Sequence, residues 1–421
     1  MSLAENVDYL SRLRKLNGFD NIGAYARNPR AGVRTPLVEV SRFGSNPGEL
    51  RMFVFVPAHL QQSRALVVVL HGCGQTAAGY DHGAGWSTLA KHYGFALLMA
   101  EQRPSNNANT CFNWFNPEDI ARDCGEAGSI RQMIARMVDE HGIDRRRVFI
   151  TGLSAGGAMT LAMLATYPDV FAAGAVIAGM PYGVASNVRE ALTGMRGLRA
   201  RTAHELGDLV RRASNHGGKW PRLSVWHGSA DRTVNPANAD AIVKQWLDVH
   251  QLPPKPMSEG RVDGYPRQVW WDDDGETIVE SYTITDMAHG TPLGVADNDR
   301  RYGSEGAFLI EAGISSSYHI AKFFGLTDWI RQPKSPAERS PAEEPAKKMD
   351  IAESPSARLI PIVSPISLPM PDLANALWPS PSPRAEPPPE TKPKTERTLR
   401  RRAIKVGAAI TRALTAAGLR K

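Results

Sequence analysis

The sequence predicts an α/β fold, a mostly parallel central sheet with helices on both faces, and three observations carry that expectation. Short apolar runs rich in β-branched residues, at 65–70 and 147–151, lack in–out alternation and read as strands buried on both faces. Segments of helical periodicity alternate with those runs, the order that winds a parallel sheet. The composition, 42% hydrophobic, 7% aromatic and 22% charged over 421 residues, suits a globular body with a sizeable core.

Taken in order, residues 1–45 are polar and weakly periodic and read as an N-terminal extension. Met52-Phe53-Val54-Phe55-Val56 suggests a first strand. The run 65–70 is a second, ending in the glycine-rich turn His71-Gly72-Cys73-Gly74-Gln75. A helix pattern at 86–92 precedes an apolar strand at 95–100, and Ile130, Met133, Ile134 and Met137 fall at helical spacing. The strand at 147–151 leads through a turn into a helix at 155–166. Strands at 171–177, 223–226 and 277–284 and a helix at 237–249 complete a body that we bound at 46–332. No repeat recurs at 20–50-residue spacing.

The formal charge of +7 is unevenly placed. Residues 333–421 hold 16 Lys and Arg against 9 Asp and Glu, and 16 of the 31 prolines; the first 332 residues carry 34 of each sign. The body is therefore not expected to bind nucleic acid. Residues 333–399 have the Pro/Ser/Glu/Lys composition of a disordered linker, which cannot bury enough apolar surface to offset its ordering entropy. Residues 400–421 contain seven basic and no acidic residues among good helix formers. That pattern suits a basic, mildly amphipathic helix able to lie on an anionic membrane or granule surface.

Three cysteines exclude a disulfide scaffold, and the absence of any run of 18 apolar residues excludes a spanning helix. Residues 1–30 lack the hydrophobic stretch of a cleavable signal peptide, so the default expectation is cytoplasmic. C-x₂-C, H-E-x-x-H, Walker and G-x-G-x-x-G patterns are missing, and neither metal nor cofactor is expected.

The motif that carries chemistry is Gly152-Leu153-Ser154-Ala155-Gly156. It stands between a strand and a helix, where glycines permit the sharp turn that lifts a serine hydroxyl off the sheet edge. A serine hydroxyl needs a base and an orienting acid, which in such folds follow it in the order Asp or Glu, then His. Asp231 lies just past the strand at 223–226, and His289 in the loop past the strand at 277–284. Among rivals, His227 ends a strand and reads as a turn residue, while His250 and His319 belong to helices. Asp286 is only three residues before His289, and Asp240 occupies a helix position. Ser154, His289 and Asp231 are thus the predicted nucleophile, base and acid.

Two backbone N–H groups should meet the developing oxyanion. Ala155 supplies one and the 71–74 loop the other, assigned to Cys73; a Cys73–Cys111 disulfide that would hold this loop is left open. Phe112, Trp114 and Phe115 are either core residues or the lining of an acyl groove, and Phe112 and Trp114 are the candidate substrate contacts. The basic stretch at 196–221 is either a lid or a solvated helical surface.

Several segments together resemble the polyhydroxybutyrate (PHB) depolymerase family of esterases: Leu70 to Gln75, Thr110-Cys-Phe-Asn-Trp-Phe115, Gly125-Glu126 with Ser129-Ile130, Gly152 to Gly157, His227-Gly-Ser-Ala-Asp231 and Ala288-His289-Gly290. The resemblance runs from about residue 49 to 324. It implies an α/β-hydrolase fold, a Ser154–Asp231–His289 triad, Cys73 and Ala155 at the oxyanion hole, and short-chain poly(3-hydroxyalkanoate) or 3-hydroxybutyrate oligomer substrates. Feruloyl and acetylxylan esterases share the same catalytic module and give the alternative substrate class. Members of the family typically carry a secretion signal and often a Ser/Thr-rich binding domain after the body; residues 1–30 do not read as such a signal, and residues 333–421 read as a proline-rich linker and a basic tail. A rival of another class is a scaffold tethered through its basic tail; the ordered Ser, Asp, His series opposes it.

Overall fold

The buried runs pair with one another, and the sheet they form sets where every loop ends. The computed structural model describes residues 35–327, apart from 61, 62 and 198. The linker at 333–399 and the basic helix at 400–421 lie outside the described residues, as does most of the N-terminal extension.

Ten strands make one sheet: β1 (Val38–Val40), β2 (Arg51–Phe55), β3 (Leu66–Leu70), β4 (Ala96–Glu101), β5 (Val148–Leu153), β6 (Ala173–Ile177), β7 (Arg222–Gly228), β8 (Ser258–Val262), β9 (Tyr265–Trp271) and β10 (Thr277–Ile284). Their order is β1-β2-β4-β3-β5-β6-β7-β10-β9-β8. From β4 through β10 the neighbours run parallel; β1-β2 on one side and β9-β8 on the other are antiparallel. β11 (Thr291–Leu293) and β12 (Leu309–Glu311) form a separate parallel pair.

The helices are α1 (Ala77–Ala84), α2 (Trp86–Tyr93), α3 (Pro117–Ile120), α4 (Gly125–His141), α5 (Ala155–Thr166), α6 (Val188–Arg196), α7 (Ala203–Arg211), α8 (Ala237–Val249) and α9 (Ser316–Phe323). They cover both faces, and β3 displays the consequence. Leu66, Val68 and Leu70 join one core with Ile130 and Met133 of α4 and Met159 of α5; Val67 and Val69 join the other with Leu89 of α2 and Ile320 of α9. A strand with both sides covered has no reason to alternate, which is why 65–70 reads as a continuous apolar run. Among the described residues no helix is long and apolar enough to cross a membrane.

Some elements differ from expectation. β1 lies inside the residues assigned to the extension, because β2 offers it an antiparallel edge. Helix α1, with two internal glycines, is fixed from outside: Thr76 caps the Gly79 N–H, and the Glu101 carboxylate accepts the Ala77 N–H at 2.8 Å. Trp271, the last residue of β9, is 37% exposed, whereas its neighbour Trp270 is buried.

Candidate active site

Parallel strands point all their C-terminal ends to one edge, so the loops after β3, β5, β7 and β10 gather there. The tightest of these turns follows β5. Ser154 adopts φ 57° and ψ −115°, a conformation that L-residues rarely take, and its N–H is given to Ile177 O at 2.9 Å. The turn closes only because its flanks are glycine. A Cβ on Gly156 would come within 2.4 Å of Leu70 O and 2.5 Å of His71 O, and one on Gly152 within 2.4 Å of the Gly156 backbone. Helix α5 therefore starts pressed against the end of β3, bringing Ser154 and Ala155 beside the 71–75 loop.

The loops after β7 and β10 are zipped together. Ser229 N–H donates to Ile284 O, Ala230 N–H to Met287 O, and Asp286 N–H to Ser229 Oγ. The zipper sets His289 Nδ1 2.6 Å from Asp231 Oδ2, with both side chains buried. The other carboxylate oxygen accepts the backbone N–H groups of Thr233 and Val234 at 2.8 and 2.9 Å. Burial opposes ionisation of Asp231, but the hydrogen bonds from His227 and His289 prevail and hold it well below the usual carboxylate range. Asp286, the competing carboxylate, is exposed.

In the loop after β3, hydrogen bonding decides which donor stays available. Gly72 N–H goes to Gln75 Oε1, Gly74 N–H to Asn109 O and Thr110 Oγ1, and Gln75 N–H to Gly72 O. Among the described residues Cys73 N–H has no protein acceptor, and neither has Ala155 N–H in the first turn of α5. Cys73 and Cys111 form a disulfide across 38 residues, which answers the pairing that the sequence left open; Cys124 is free and exposed.

A serine on a strained strand-to-helix turn, a buried His–Asp pair at the same sheet edge and a loop with a spare N–H are the parts of an acyl-transfer site. Residues 51–253 match the family model described as esterase PHB depolymerase. The chain is 45% identical over 291 residues to poly(3-hydroxyalkanoate) depolymerase C of Paucimonas lemoignei, covering 69% of this chain and 70% of that one. The chain belongs to the PHB depolymerase family of esterases. It is a carboxylic ester hydrolase with the α/β-hydrolase fold. It is also 34% identical over 263 residues to an acetylxylan esterase of Coprinopsis cinerea, covering 61% of this chain and 69% of that one. An acetyl xylan esterase structure from Aspergillus awamori superposes with a TM-score of 0.59 at 24% identity, over 69% of this chain and 99% of that one, and supports the fold.

The remaining residues of this esterase divide into support and surface. Phe112 is fully buried and packs against the His71 ring at 5.0 Å, so it is a core residue and does not line a groove. Trp114 keeps 8% exposure and meets Phe115 edge-on. Beneath the disulfide loop runs a polar network that sequence reasoning missed. Gln102 donates its N–H to His71 Nε2 and its side-chain amide to Cys111 O and Glu126 Oε1. Glu126 also accepts the backbone and side-chain N–H groups of Asn113. Burial, reinforced by the negative charge of Asp119, pushes the Glu126 carboxyl up to about 8 against those hydrogen bonds.

The stretch at 196–221 is neither loose nor wholly solvated. Thr202 and Glu205 form a capping box at the start of α7, whose Leu206 and Val210 are buried. Arg211 binds Asp208 and Asp248, locking α7 to α8. A cleft of about 710 Å³ between α6 and α8, lined in part by Arg189, Arg199, Arg201 and Lys244, includes none of Ser154, Asp231 and His289.

Proposed function

We propose that this esterase cleaves short-chain poly(3-hydroxyalkanoate) or 3-hydroxybutyrate oligomer esters through an acyl-enzyme on Ser154. Ser154 Oγ attacks the ester carbonyl while His289 Nε2 takes its proton. The oxyanion that forms is met by the N–H groups of Cys73 and Ala155, aimed before the charge develops and needing no reorganisation. Collapse of the tetrahedral adduct returns the proton from His289 to the leaving alcohol. Water, deprotonated by His289, then attacks the acyl-enzyme, and a second collapse releases the acid and restores the serine. Asp231 holds the imidazole with Nδ1 protonated and balances its positive charge in each transition state.

The observation that carries this reading is the 2.6 Å contact of His289 Nδ1 with Asp231 Oδ2, at the sheet edge where Ser154 stands on its turn. The substrate class rests on the 45% identity to the Paucimonas lemoignei depolymerase. Acetyl or feruloyl esters are the second reading, favoured by the similarity to the Coprinopsis cinerea esterase. A panel of p-nitrophenyl butyrate, 3-hydroxybutyrate oligomers, acetylated xylan and a feruloyl ester separates the two. The proposal expects the highest kcat/KM on the oligomers and loss of all activities in Ser154→Ala. A preference for acetylated xylan or the feruloyl ester would transfer the assignment to the second reading.

A further inference from the structure

One buried titratable group beside Asp231 has no part in the steps above. His227, the next-to-last residue of β7, is 3% exposed, and its Nε2 lies 2.9 Å from Val234 O and 3.2 Å from Asp231 Oδ2. Both neighbours are oxygens without a proton to give, so Nε2 carries the proton and donates to both. Nδ1 is buried and has no partner among the described residues. A proton there would be a buried donor with no acceptor, which selects the neutral ring protonated on Nε2.

We propose that His227 is a positioning residue for the triad acid, its single N–H spanning Val234 O and Asp231 Oδ2 and locking the carboxylate against His289. The inference rests on the Ser154–His289–Asp231 reading and extends it by a fourth residue. Asp231 then receives four donors, one for each of its lone-pair positions: Thr233 N and Val234 N on Oδ1, His289 Nδ1 and His227 Nε2 on Oδ2. Remove His227 and Oδ2 keeps only His289, so the carboxylate can pivot about the two backbone N–H groups that hold Oδ1. The bond to Val234 O also closes the 231–234 turn that supplies those N–H groups.

A carboxylate oxygen relieved of one donor is more basic and stabilises a neighbouring imidazolium more strongly. The acidic limb of the kcat/KM profile is then expected to move upward in a variant that lacks the His227 N–H. Among the described residues the titratable side chains recorded against Asp231 are His227 and His289; Arg232 and Asp286 on the flanking loops are exposed. Across the sheet His227 pairs with Thr283 of β10, which does not titrate in this range.

The test compares His227→Leu with His227→Gln on p-nitrophenyl butyrate. His227→Leu is expected to lower kcat by about tenfold to a hundredfold, with little change in KM, as befits a lost hydrogen bond to a charged group. The acidic limb of the kcat/KM profile is also expected to move upward. A glutamine amide reaches roughly the place of Nε2 and brings two N–H donors, so His227→Gln should recover most of kcat and return the limb. A His227→Leu variant as active as wild type overturns the proposal. So does one that loses activity with an unmoved limb and no recovery in His227→Gln, which would make His227 a packing residue. If His227→Leu does not fold, nitrogen NMR of the wild-type imidazole decides: the neutral Nε2–H tautomer supports the proposal, and an Nδ1–H or cationic ring near neutral pH overturns it. Failure of the underlying triad is seen separately, as activity surviving in Ser154→Ala.

Discussion

Replacing Cys111 with alanine leaves the backbone donor of Cys73 in the chain and removes what ties it down. The bridge closes 38 residues, from the end of β3 to the loop above Glu126. Loop-closure entropy for that length gives a loss of about 4 kcal/mol, or roughly 8 °C in Tm for a domain of this size. Catalysis should suffer less than if the oxyanion donor were deleted, which costs on the order of 10² to 10³ in kcat. Gly74 N–H still reaches Asn109 O at 2.8 Å and Thr110 Oγ1 at 3.1 Å, so the loop keeps part of its position. We therefore expect kcat to fall about tenfold with KM nearly constant. The assay is a thermal melt and steady-state hydrolysis of p-nitrophenyl butyrate, each with and without reductant. Reduced wild type should behave like Cys111→Ala, and reductant should not affect the variant. A variant with unchanged Tm and unchanged kcat would refute the reasoning, since the bridge would then hold neither the fold nor the loop.

Two further substitutions follow from the same geometry. Gly156→Ala drives a Cβ to 2.4 Å from the carbonyl oxygen of Leu70, at the end of β3, and 2.5 Å from that of His71 just past it, so the elbow must shift. A stability loss of about 3 kcal/mol by urea denaturation and a kcat loss of about a hundredfold are expected, and wild-type kinetics would contradict the elbow packing. For Glu126, the folded carboxyl titrates at about 8 against 4.5 for the free group, so the native state keeps a proton that the unfolded chain gives up. Its stabilising contribution is complete below about pH 4.5 and is lost as pH rises to about 8. Urea midpoints of wild type should therefore decline relative to Glu126→Gln between about pH 5 and about pH 8.5, and a constant difference would be the contrary result.

What the sequence disclosed depended on how each element is stabilised. β3 and β5 are covered on both faces, and burial of that kind leaves a signature in composition alone. β8 is mostly exposed and polar, and only its pairing with β9 makes it a strand; that information lies in another segment. Helix α1 is likewise made by Thr76 and Glu101, the latter more than twenty residues away. The expectation for Ser154, Asp231 and His289 rests on strand ends and chain order, and the 2.6 Å His289–Asp231 contact is in keeping with it. His227 reads as a turn residue from sequence because a strand-terminal histidine carries no mark of what its ring will meet. The clue was the spacing His227-Gly-Ser-Ala-Asp231, which folds back through a turn that Val234 O closes. Phe112 could be read either way because flat apolar rings suit a groove and a core equally; its full burial and its contact with the His71 ring favour the core.

In the proposed reaction Ser154 carries the acyl group. Rapid acid quench during turnover of p-nitrophenyl butyrate, followed by mass spectrometry of the digested protein, tests it most directly. One butyryl group is expected on the peptide containing Ser154, accumulating in Asp231→Asn at a rate reduced by on the order of 10⁴ and absent from Ser154→Ala. Turnover with no acyl group on Ser154, or with the butyryl group on another residue, would contradict it.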